Sequence, residues 1–463
     1  METITLGQLL EAVQGKLLGS FVDLNAPILR VDTDSRKIHA GALFIPLVGE
    51  RFDGHAYINA ALEGGAVGCL TARERESYYP DKFYVKVAST QKALRDLAAW
   101  YKNRFDIPFV AVTGSVGKTT AKDMIAAVLG TKYKVLKTEG NFNNNVGLPL
   151  TLLRLDRSYE LCVLEMGMDR PGEIDYLADI VKPEVGVITN IGDAHIERLG
   201  SRENIFKAKC EMLPHLKENG LLVLNGDDEL LSTLRGNTPV PAVFCGKGEG
   251  LDYHARVTGG DGLSHIHCQL TTPAMDREVK IPALGEHMIY PALTASAVGE
   301  YFNLTPEEIE RGLTRFVPTQ MRMNILRRRD GVVILDDTYN ANPQSMRAAI
   351  SALADSQSSW KVAVLGDMLE LGPFAPALHS GVGEYLGREK IDCLVAVGEM
   401  ARYIAQGARD TGVSLVFHCD DKEEAKEVLG GVIKPDSTIL VKASRGMALE
   451  ELTARLLELT QEG

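Results

Sequence analysis

The chain has 463 residues, of which 45% are hydrophobic and 24% are charged, a composition typical of a globular protein and unlike that of a disordered one. Its 62 acidic and 50 basic residues give a net charge of −12, which argues against a general nucleic-acid-binding protein because such proteins are usually basic. At about 150 residues per domain, this length predicts roughly three domains.

The N-terminal stretch METITLGQLLEAVQG lacks a basic start followed by an apolar run, and no stretch of the chain approaches about 20 apolar residues. We therefore expect neither a signal peptide nor membrane insertion. The seven cysteines form no CxxC pair, which argues against a structural zinc site or a disulfide framework. Reduced thiols are typical of the cytoplasm, so we expect a cytoplasmic protein. We further expect a monomer without a nucleic-acid partner.

Residues 1–88 combine short strands with turns and predict a small N-terminal α/β domain. The run GALFIPLVG at 41–49 is typical of a strand, and a helix follows the polar turn after it. Helical periodicity over 89–105 then leads into the next domain.

From residue 108 onwards the strand and helix patterns alternate, which predicts a central domain spanning 89–317. The strand FVAVTG precedes a helix over 118–130. Further short apolar runs lie at 161–166, 185–190 and 221–225. Such runs are typical of buried parallel strands that are covered by helices. Residues 250–282 break the pattern and predict a small antiparallel sheet.

Pro318 precedes a basic stretch and marks a second boundary, beyond which we expect a C-terminal domain over 318–463. Five strands are predicted there, at 332–337, 361–367, 392–398, 413–419 and 437–444. Helical stretches fill the gaps between them, which predicts a Rossmann-like open α/β sheet. The sequence as a whole therefore predicts an α/β protein of three domains.

A phosphate-binding loop is the clearest motif, because TGSVGKTT follows a predicted strand and opens a predicted helix. Its residues are Thr113, Gly114, Ser115, Val116, Gly117, Lys118, Thr119 and Thr120. Glycines let backbone N–H groups surround phosphates, Lys118 can neutralise phosphate charge, and Thr119 can bind Mg²⁺. Val112 stands where the usual pattern has its first glycine, so the motif is a TGxxGKT variant. The alternative interpretation is a glycine turn with an incidental lysine.

Two polar residues follow predicted strands at the same edge of the central sheet. Glu165 ends the strand at 161–166, and His195 follows the strand at 185–190. Ligands of open α/β sheets collect at the carboxyl ends of the strands, so we expect both side chains beside the P-loop, where they can hold Mg²⁺. The alternatives are a solvated acid for Glu165 and a loop-bonded imidazole for His195.

Several blocks together resemble the Mur ligases, the enzymes that add amino acids to the peptidoglycan precursor. The N-terminal block is TDSRKIHAGALFIPLVGERFDGHAY, and the C-terminal blocks are DDTYNANPQSM, GDMLELG and VKASRGMALEEL. The resemblance covers essentially the whole chain. The diamino-acid-adding branch has a DNPR motif that is absent here, so the pattern is most similar to the dipeptide-adding branch.

This resemblance implies an ATP-dependent amide ligase that joins D-alanyl-D-alanine to UDP-N-acetylmuramoyl-tripeptide through an acyl phosphate. Thr119 and Glu165 would hold one Mg²⁺, and His195 would help hold a second. Lys209 matches the family position in an AK-x-E pattern at which a lysine carbamylated by CO₂ completes the second site, whereas a plain surface lysine is the alternative. Arg322 would reach the γ-phosphate, and Asp337 would bind the ribose.

The resemblance also implies substrate contacts in each domain. Asn141 would bind the nucleotide, Ser35, Arg36, Glu50, Arg51 and Phe52 would contact the UDP-sugar, and the remaining candidates for substrate binding are Asn143, Asn144, Tyr339, Asn340, Asn342, Ser444 and Arg445. One departure is that Met288 and Pro291 stand where many relatives have asparagines near adenine. We therefore expect adenine contacts that are apolar or come from elsewhere.

Two alternatives stay open at this stage. A sister ligase, including the folylpolyglutamate type, would share the P-loop and the acyl-phosphate chemistry but not the DMLELG block. A nucleotide-gated regulatory protein would use Lys118 and Thr119 without needing a pocket for an amine.

The ligase interpretation also predicts that the third domain closes on ATP and acceptor to exclude water. The residue that ends the tripeptide, lysine or diaminopimelate, stays open too.

Overall fold

The computed structural model describes residues 1–49, 52–262 and 264–459 of the chain. Its N-terminal part contains a two-stranded sheet, β1 with β3, and a five-stranded sheet in the order β2-β7-β6-β5-β4. The strands are β1 (Ile4–Thr5), β2 (Lys16–Leu18), β3 (Pro27–Ile28), β4 (Arg30–Asp32), β5 (Ala42–Phe44), β6 (Gly68–Thr71) and β7 (Phe83–Lys86). Helices α1 (Leu6–Val13) and α2 (Ile58–Glu63) lie in this part of the chain.

The central part is built on a nine-stranded sheet in the order β16-β15-β14-β13-β12-β11-β8-β10-β9. Its strands are β8 (Phe109–Thr113), β9 (Val135–Lys137), β10 (Leu161–Glu165), β11 (Val185–Ile188), β12 (Leu221–Asn225), β13 (Ala242–Gly246), β14 (Tyr253–Gly260), β15 (Ile266–Thr271) and β16 (Asp276–Ile281). The helices are α3 (Thr90–Lys102), α4 (Lys118–Leu129), α5 (Gly147–Leu152), α6 (Glu173–Val181), α7 (Ile196–Leu199), α8 (Arg202–Cys210), α9 (Ile289–Tyr301) and α10 (Pro306–Thr314).

The C-terminal part contains a six-stranded sheet in the order β17-β18-β22-β19-β20-β21. Its strands are β17 (Asn324–Arg327), β18 (Val333–Asp336), β19 (Trp360–Gly366), β20 (Cys393–Val397), β21 (Leu415–Cys419) and β22 (Ser437–Lys442). The helices are α11 (Pro343–Ala354), α12 (Ala375–Arg388), α13 (Ala401–Asp410), α14 (Lys422–Val432) and α15 (Glu450–Glu458). Every strand pair is parallel except β17 with β18.

The predicted α/β class and the apolar strands of both large sheets are confirmed. The antiparallel strands expected over 250–282 are β14 to β16, which continue the parallel sheet as its edge. The strand expected over 41–49 is shorter, because β5 ends at Phe44. Strands β9, β13 and β17 were not predicted; β9 has three residues, and β17 has a polar residue at each end. The exact domain boundaries stay a prediction.

The structure also describes the state of the cysteines and the length of the helices. All seven cysteines are free thiols, and six of them are buried. Within the described ranges, no helix is both long enough and apolar enough to cross a membrane.

Helix α4, which begins at the P-loop, is buried along most of its length. One side packs against α9 and α10, and the other faces β9 and β10. Its apolar residues Met124, Ile125 and Val128 belong to the core beneath the nine-stranded sheet. Burial on all sides explains why the charged residues Lys122 and Asp123 are also removed from solvent. The packing of α4 therefore fixes the direction in which the P-loop points.

Helices α12 and α13 cross at two glycines, Gly383 and Gly407. A β-carbon on Gly383 would lie 2.0 Å from the carbonyl oxygen of Ile404, and one on Gly407 would lie 2.3 Å from that of Ser380. The close packing of these two helices affects the position of the loop that contains the DMLELG block, because α12 also holds that loop. Buried His379 on α12 donates from Nδ1 to the carbonyl of Ala375 at 2.7 Å, and its Nε2 accepts from the N–H of Met368 at 2.9 Å.

We predict that Gly383→Ala destabilises the protein by about 2–3 kcal/mol, because the added methyl group forces two tightly packed helices apart. The matched control is Gly430→Ala on α14, where a β-carbon meets nothing within 4 Å. That control should be neutral or stabilising by up to about 1 kcal/mol. Urea unfolding followed by circular dichroism measures both. Equal midpoints for the two variants would contradict the close crossing.

Candidate active site

The P-loop connects the end of β8 to the start of α4 and presents unpaired backbone donors. Gly117 adopts φ +79°, and Gly114 adopts φ +150° where any β-carbon would collide with the hydroxyl of Thr189 at 1.9 Å. Among the described residues, no acceptor pairs with the backbone N–H groups of residues 117–120. Free N–H groups at a helix N-terminus form a site for phosphate. The loop therefore matches the predicted phosphate cradle.

Asn190 holds the loop in this conformation. Its carbonyl accepts from the N–H of Ser115 at 3.0 Å, and its side-chain oxygen accepts from the N–H of Val116 at 2.9 Å. The side chain of Lys118 folds back and donates to the carbonyls of Gly114, at 2.8 Å, and Ser115, at 3.3 Å. Burial lowers the pKa of Lys118, an effect that the charge of Glu165 opposes.

Glu165 lies at the end of β10 with only 2% of its surface exposed, so the alternative of a solvated acid is wrong. Thr119 Oγ1 donates to its Oε2 at 2.9 Å, and Asn143 Nδ2 donates to its Oε1 at 2.7 Å. The backbone N–H of Glu165 donates to Thr138 Oγ1 at 3.0 Å. Two predicted metal ligands, Thr119 and Glu165, are thus adjacent at the start of the P-loop helix.

Lys209 on α8 is 2% exposed, so it is not a plain surface lysine. None of the described residues accepts a hydrogen bond from its Nζ. Burial, reinforced by the nearby charge of Lys118, brings the pKa of Lys209 well below the ordinary lysine value. Lys207, two residues earlier, is exposed and lies on another face of the helix. The two lysines therefore have different environments, as the helical spacing predicts.

His195 caps the short helix α7 and has a left-handed backbone, with φ +61°. Its Nδ1 lies 2.7 Å from Oε2 of Glu370, which belongs to the DMLELG loop of the C-terminal part. This contact holds the pKa of Glu370 below its ordinary value, with partial burial opposing it. Among the described residues, no hydrogen bond or ion pair joins His195 to Thr119 or Glu165. The sequence analysis quoted the DMLELG block but did not assign Glu370 a contact.

Arg322 approaches the P-loop from the linker that precedes the C-terminal sheet. Its Nη2 lies 3.5 Å from Thr119 Oγ1, and its guanidinium stacks 4.0 Å from the centroid of the Tyr339 ring. Both neighbours of Arg322 in the chain, Met321 and Met323, are left-handed, with φ +58° and +51°. The predicted approach of this arginine to the phosphate site agrees with this geometry.

Asp337 directly follows β18 and lines a small cavity beside Gly117 and Thr120. Its Oδ2 accepts from Lys442 Nζ at 2.5 Å, and its Oδ1 accepts from the N–H of Met323 at 3.1 Å. Lys442 is 1% exposed, and burial lowers its pKa while the charge of Asp337 opposes this. The sequence analysis missed Lys442, although it lies in the VKASRGM block at the carboxyl end of a strand.

Asn340 and Asn342 line a second small cavity that the P-loop also lines. Asn342 caps α11, because its side-chain oxygen accepts from the N–H of Ser345 at 2.9 Å. Ser444 is buried and its hydroxyl accepts from the N–H of Leu369 at 2.9 Å, which ties the DMLELG loop to the loop after β22. Asn342 and Ser444 therefore have structural roles, beside any contact with substrate.

Arg445 pairs with Glu450 at 2.8 Å and also contacts the sulfur of Met321. Asn144 caps α5 through the N–H of Gly147 at 2.9 Å, whereas Asn141 is exposed. Of the three predicted asparagines in this turn, only Asn143 binds Glu165.

Two of the predicted residues of the N-terminal part, Arg36 and Phe52, lie at its surface. Arg36 is exposed and forms a bidentate pair with Asp34, with both N–O distances at 2.8 Å, in the turn that contains Ser35. Phe52 is 59% exposed. Glu50 and Arg51 lie outside the described residues.

Asp53 and His55, which the sequence analysis did not single out, organise the next turn. The carboxylate of Asp53 bonds the ring of His55 at 2.7 Å and the guanidinium of Arg73 at 2.5 Å. The other ring nitrogen of His55 accepts from the N–H of Ala72 at 3.0 Å.

A cavity of about 530 Å³ opens beside the P-loop, between the central and C-terminal parts. Its lining includes Gly117, Asn225, Asp227, Met288, Tyr290 and Pro291. Met288 and Pro291, which replace the family asparagines, thus face a space next to the phosphate loop. On this side of the cavity, the loop after β12 provides polar groups in place of the family asparagines.

Family models match three successive segments of the chain. The description "Mur ligase family, catalytic domain" matches residues 27–102, "Mur ligase middle domain" matches 112–299, and "Mur ligase, glutamate ligase domain" matches 321–445. Together these segments contain the P-loop, Glu165, Lys209 and Arg322.

Individual relatives match over nearly the whole length. The UDP-N-acetylmuramoyl-tripeptide–D-alanyl-D-alanine ligase of Bacillus subtilis is 39% identical, over 98% of this chain and 98% of its own. A crystal structure of MurF from Acinetobacter baumannii has a TM-score of 0.92 at 33% identity and covers 99% of this chain and 100% of its own. The MurF ligase of Thermotoga maritima in complex with ADP has a TM-score of 0.83 at 30% identity, and the match covers 93% of this chain and 97% of its own. The chain belongs to the Mur ligase family.

Proposed function

We propose that this protein is the cytoplasmic ATP-dependent ligase that joins D-alanyl-D-alanine to UDP-N-acetylmuramoyl-tripeptide during peptidoglycan precursor synthesis. The observation that carries the proposal is the cluster at the P-loop, where Thr119 bonds the buried carboxylate of Glu165 and Lys118 lies near the buried Lys209. Relatives of the same length, among them the Bacillus subtilis ligase, have this activity in their names.

The first chemical step is phosphoryl transfer to the carboxylate of the tripeptide. A carboxylate oxygen attacks the γ-phosphorus of ATP. The bond between that phosphorus and the oxygen of the departing ADP breaks, and an acyl phosphate forms. Two anions must approach one another, so positive charge is needed at the point of attack. Lys118, on the P-loop, and Arg322, beside Thr119, would supply it, and the free N–H groups of residues 117–120 would bind the phosphate oxygens.

The second step is attack by the amine of the dipeptide on the acyl carbon. The tetrahedral species collapses with loss of inorganic phosphate, and the nitrogen gives up a proton, leaving an amide. Water would hydrolyse the acyl phosphate, so the site must exclude it. Arg322 contacts Thr119 and Glu370 contacts His195, so residues of the C-terminal part reach the central part, and these contacts support the predicted closure.

The donors at Thr119 and Glu165 fit a magnesium ion. Mg²⁺ prefers oxygen ligands and is usually held by one or two protein groups together with the phosphates of the substrate. Within the described ranges no group of three or more His, Cys, Asp or Glu could hold a metal alone, which fits a site that the nucleotide completes. When bound, the ion would neutralise phosphate charge and polarise the transferring group.

The environment of Lys209 fits modification by CO₂. Carbamylation needs a neutral amine, and burial, which lowers the pKa of Lys209, favours that form. The modified group would carry a negative charge near Lys118 and offer oxygen ligands to a second Mg²⁺. His195 would contribute its Nε2, because its Nδ1 faces Glu370.

The remaining substrate contacts follow the layout of the three parts. The turn with Ser35 and Arg36, together with the exposed Phe52, would bind the UDP-sugar, and Tyr339, Asn340 and Arg445 would bind the dipeptide. The cavity at Met288 and Pro291 would receive the adenine, and Asp337, paired with Lys442, would face the ribose.

We predict that phosphate release from ATP and Mg²⁺ requires both UDP-N-acetylmuramoyl-tripeptide and D-alanyl-D-alanine. The first step needs the carboxylate of the tripeptide, and the second step needs the amine of the dipeptide. Mass spectrometry should show the pentapeptide product. Parallel assays with lysine- and diaminopimelate-ended tripeptides identify the preferred third residue. Phosphate release that ignores the dipeptide, with no amide formed, would point to a different ligase or to a regulatory nucleotidase.

We predict that Lys209→Ala lowers kcat by about 100-fold or more, the effect expected when a group that stabilises transition-state charge is lost. Lys207→Ala, on the exposed face of the same helix, is the matched control and should keep near-normal kcat. An independent readout is a carbamate signal in the ¹³C NMR spectrum of enzyme equilibrated with ¹³C-bicarbonate.

The carbamate signal should be present in Lys207→Ala and absent in Lys209→Ala. Full activity of Lys209→Ala would reject a role for this lysine. Loss of activity without any carbamate signal in the unaltered enzyme would reject the modification alone.

A further inference from the structure

Asp123 is a buried carboxylate, 4% exposed, whose role the catalytic scheme leaves open. It lies on the P-loop helix, one turn beyond Thr119. Lys137 Nζ bonds its Oδ1 at 2.7 Å, and Lys122 Nζ lies 3.1 Å from the same oxygen. The hydroxyl of Thr319, in the linker to the C-terminal sheet, donates to Oδ2. Burial alone would raise the pKa of Asp123, but these three partners hold it below its ordinary value.

Two lysines already neutralise Asp123, so charge balance does not require Thr319. The contact is distinctive because it joins residues 196 positions apart, one on the nucleotide-binding helix and one on the linker. A purely local role for Asp123 would be complete with Lys122 and Lys137.

Thr319 is the anchor of the turn that presents Arg322. Its carbonyl accepts from the backbone N–H of Arg322 at 3.2 Å and from Asn324 Nδ2 at 3.1 Å. Beyond it, the carbonyl of Met321 accepts from the N–H of Tyr339 at 3.2 Å. The linker is thus bonded to the central part at Thr319 and to the C-terminal part at Met321.

The backbone of this turn does not hold itself in place. Met321 and Met323 both have positive φ angles, and neither is glycine or asparagine. Such residues cost of order 1 kcal/mol each and persist where surrounding contacts impose them. The conformation that points Arg322 at Thr119 therefore depends on the bonds at either end of the turn.

The same contacts lead back to the metal-binding carboxylate. Lys122 Nζ donates to the carbonyl of Thr138 at 2.8 Å, and the hydroxyl of Thr138 accepts from the N–H of Glu165. Glu165 in turn accepts from Thr119, the residue that Arg322 approaches. The linker, the P-loop helix and Glu165 are joined in one closed ring of polar contacts.

We propose that Asp123 and Thr319 form a latch that positions Arg322 against the γ-phosphate, so that the P-loop helix itself sets the linker. Both are positioning residues that act through Arg322. The inference rests on the proposed function in one respect, the role of Arg322 as a contact of the γ-phosphate.

The test compares binding of ADP with binding of the β,γ-imido analogue of ATP, which retains a γ-phosphoryl group. Isothermal titration with Mg²⁺ measures both dissociation constants for the full-length protein. Thr319→Val removes the hydroxyl while keeping the shape of the side chain. Thr319→Ser restores the hydroxyl, and Arg322→Ala removes the group through which the latch acts.

We expect Thr319→Val to lower the preference for the triphosphate analogue over ADP by about three- to tenfold, the change that follows loss of one hydrogen bond. Thr319→Ser should keep the preference of the unaltered protein. In the Arg322→Ala background, Thr319→Val should cause no further loss, because residues that act as a unit are not additive.

An unchanged preference in Thr319→Val overturns the latch, and so does an equal further loss in the Arg322→Ala background. If Thr319→Val does not fold, Thr319→Ala, which also lacks the hydroxyl, is judged by the same ratio and the same double variant. These measurements need only nucleotide, so they separate failure of the latch from failure of the amide-forming reaction, which product mass reports.

Discussion

The burial of one carboxylate, that of Glu165, is the constraint on which the rest of the site depends. A charged group removed from water is costly unless its oxygens are bonded, and here Thr119 and Asn143 each bond one oxygen. This requirement fixes the start of the P-loop helix against the end of β10 and draws the asparagine-rich turn over both. Two buried lysines lie near this cluster, Lys118 and Lys209, and in the proposed reaction the first binds phosphate oxygens and the second is carbamylated.

Much of the fold could be predicted from the sequence because buried parallel strands have a clear signature. The runs that became β8, β10, β11 and β12 are apolar on both faces, and Gly, Asp or Asn residues bound them. Strand β17 was missed because it is a four-residue edge strand, NILR, with a polar residue at each end, which sequence alone does not separate from the basic linker. Strands β14 to β16 were predicted as antiparallel, but their attachment to β13 depends on a parallel pairing of two residues that the local pattern does not encode.

The residues of the site differ in how far the sequence predicts them. Glu165 could be placed because a strand end is a local feature, and Lys209 because its AK-x-E pattern matches the family position. Glu370, Lys442 and Thr319 could not, since each has a partner more than a hundred residues away. Glu370 is 175 positions from His195, and the packing of α12 and the bond from Leu369 to Ser444 help to hold the DMLELG loop in place. Local sequence patterns do not show contacts between residues this far apart.

The left-handed backbone on either side of Arg322 has a consequence for substitutions at those positions. Met321 and Met323 have φ angles of +58° and +51°, a region that glycine enters without steric cost. Glycine at either position would relieve that cost, but it would also give the turn more backbone conformations. The two methionines therefore give up some stability in exchange for a narrower set of positions for the Arg322 side chain.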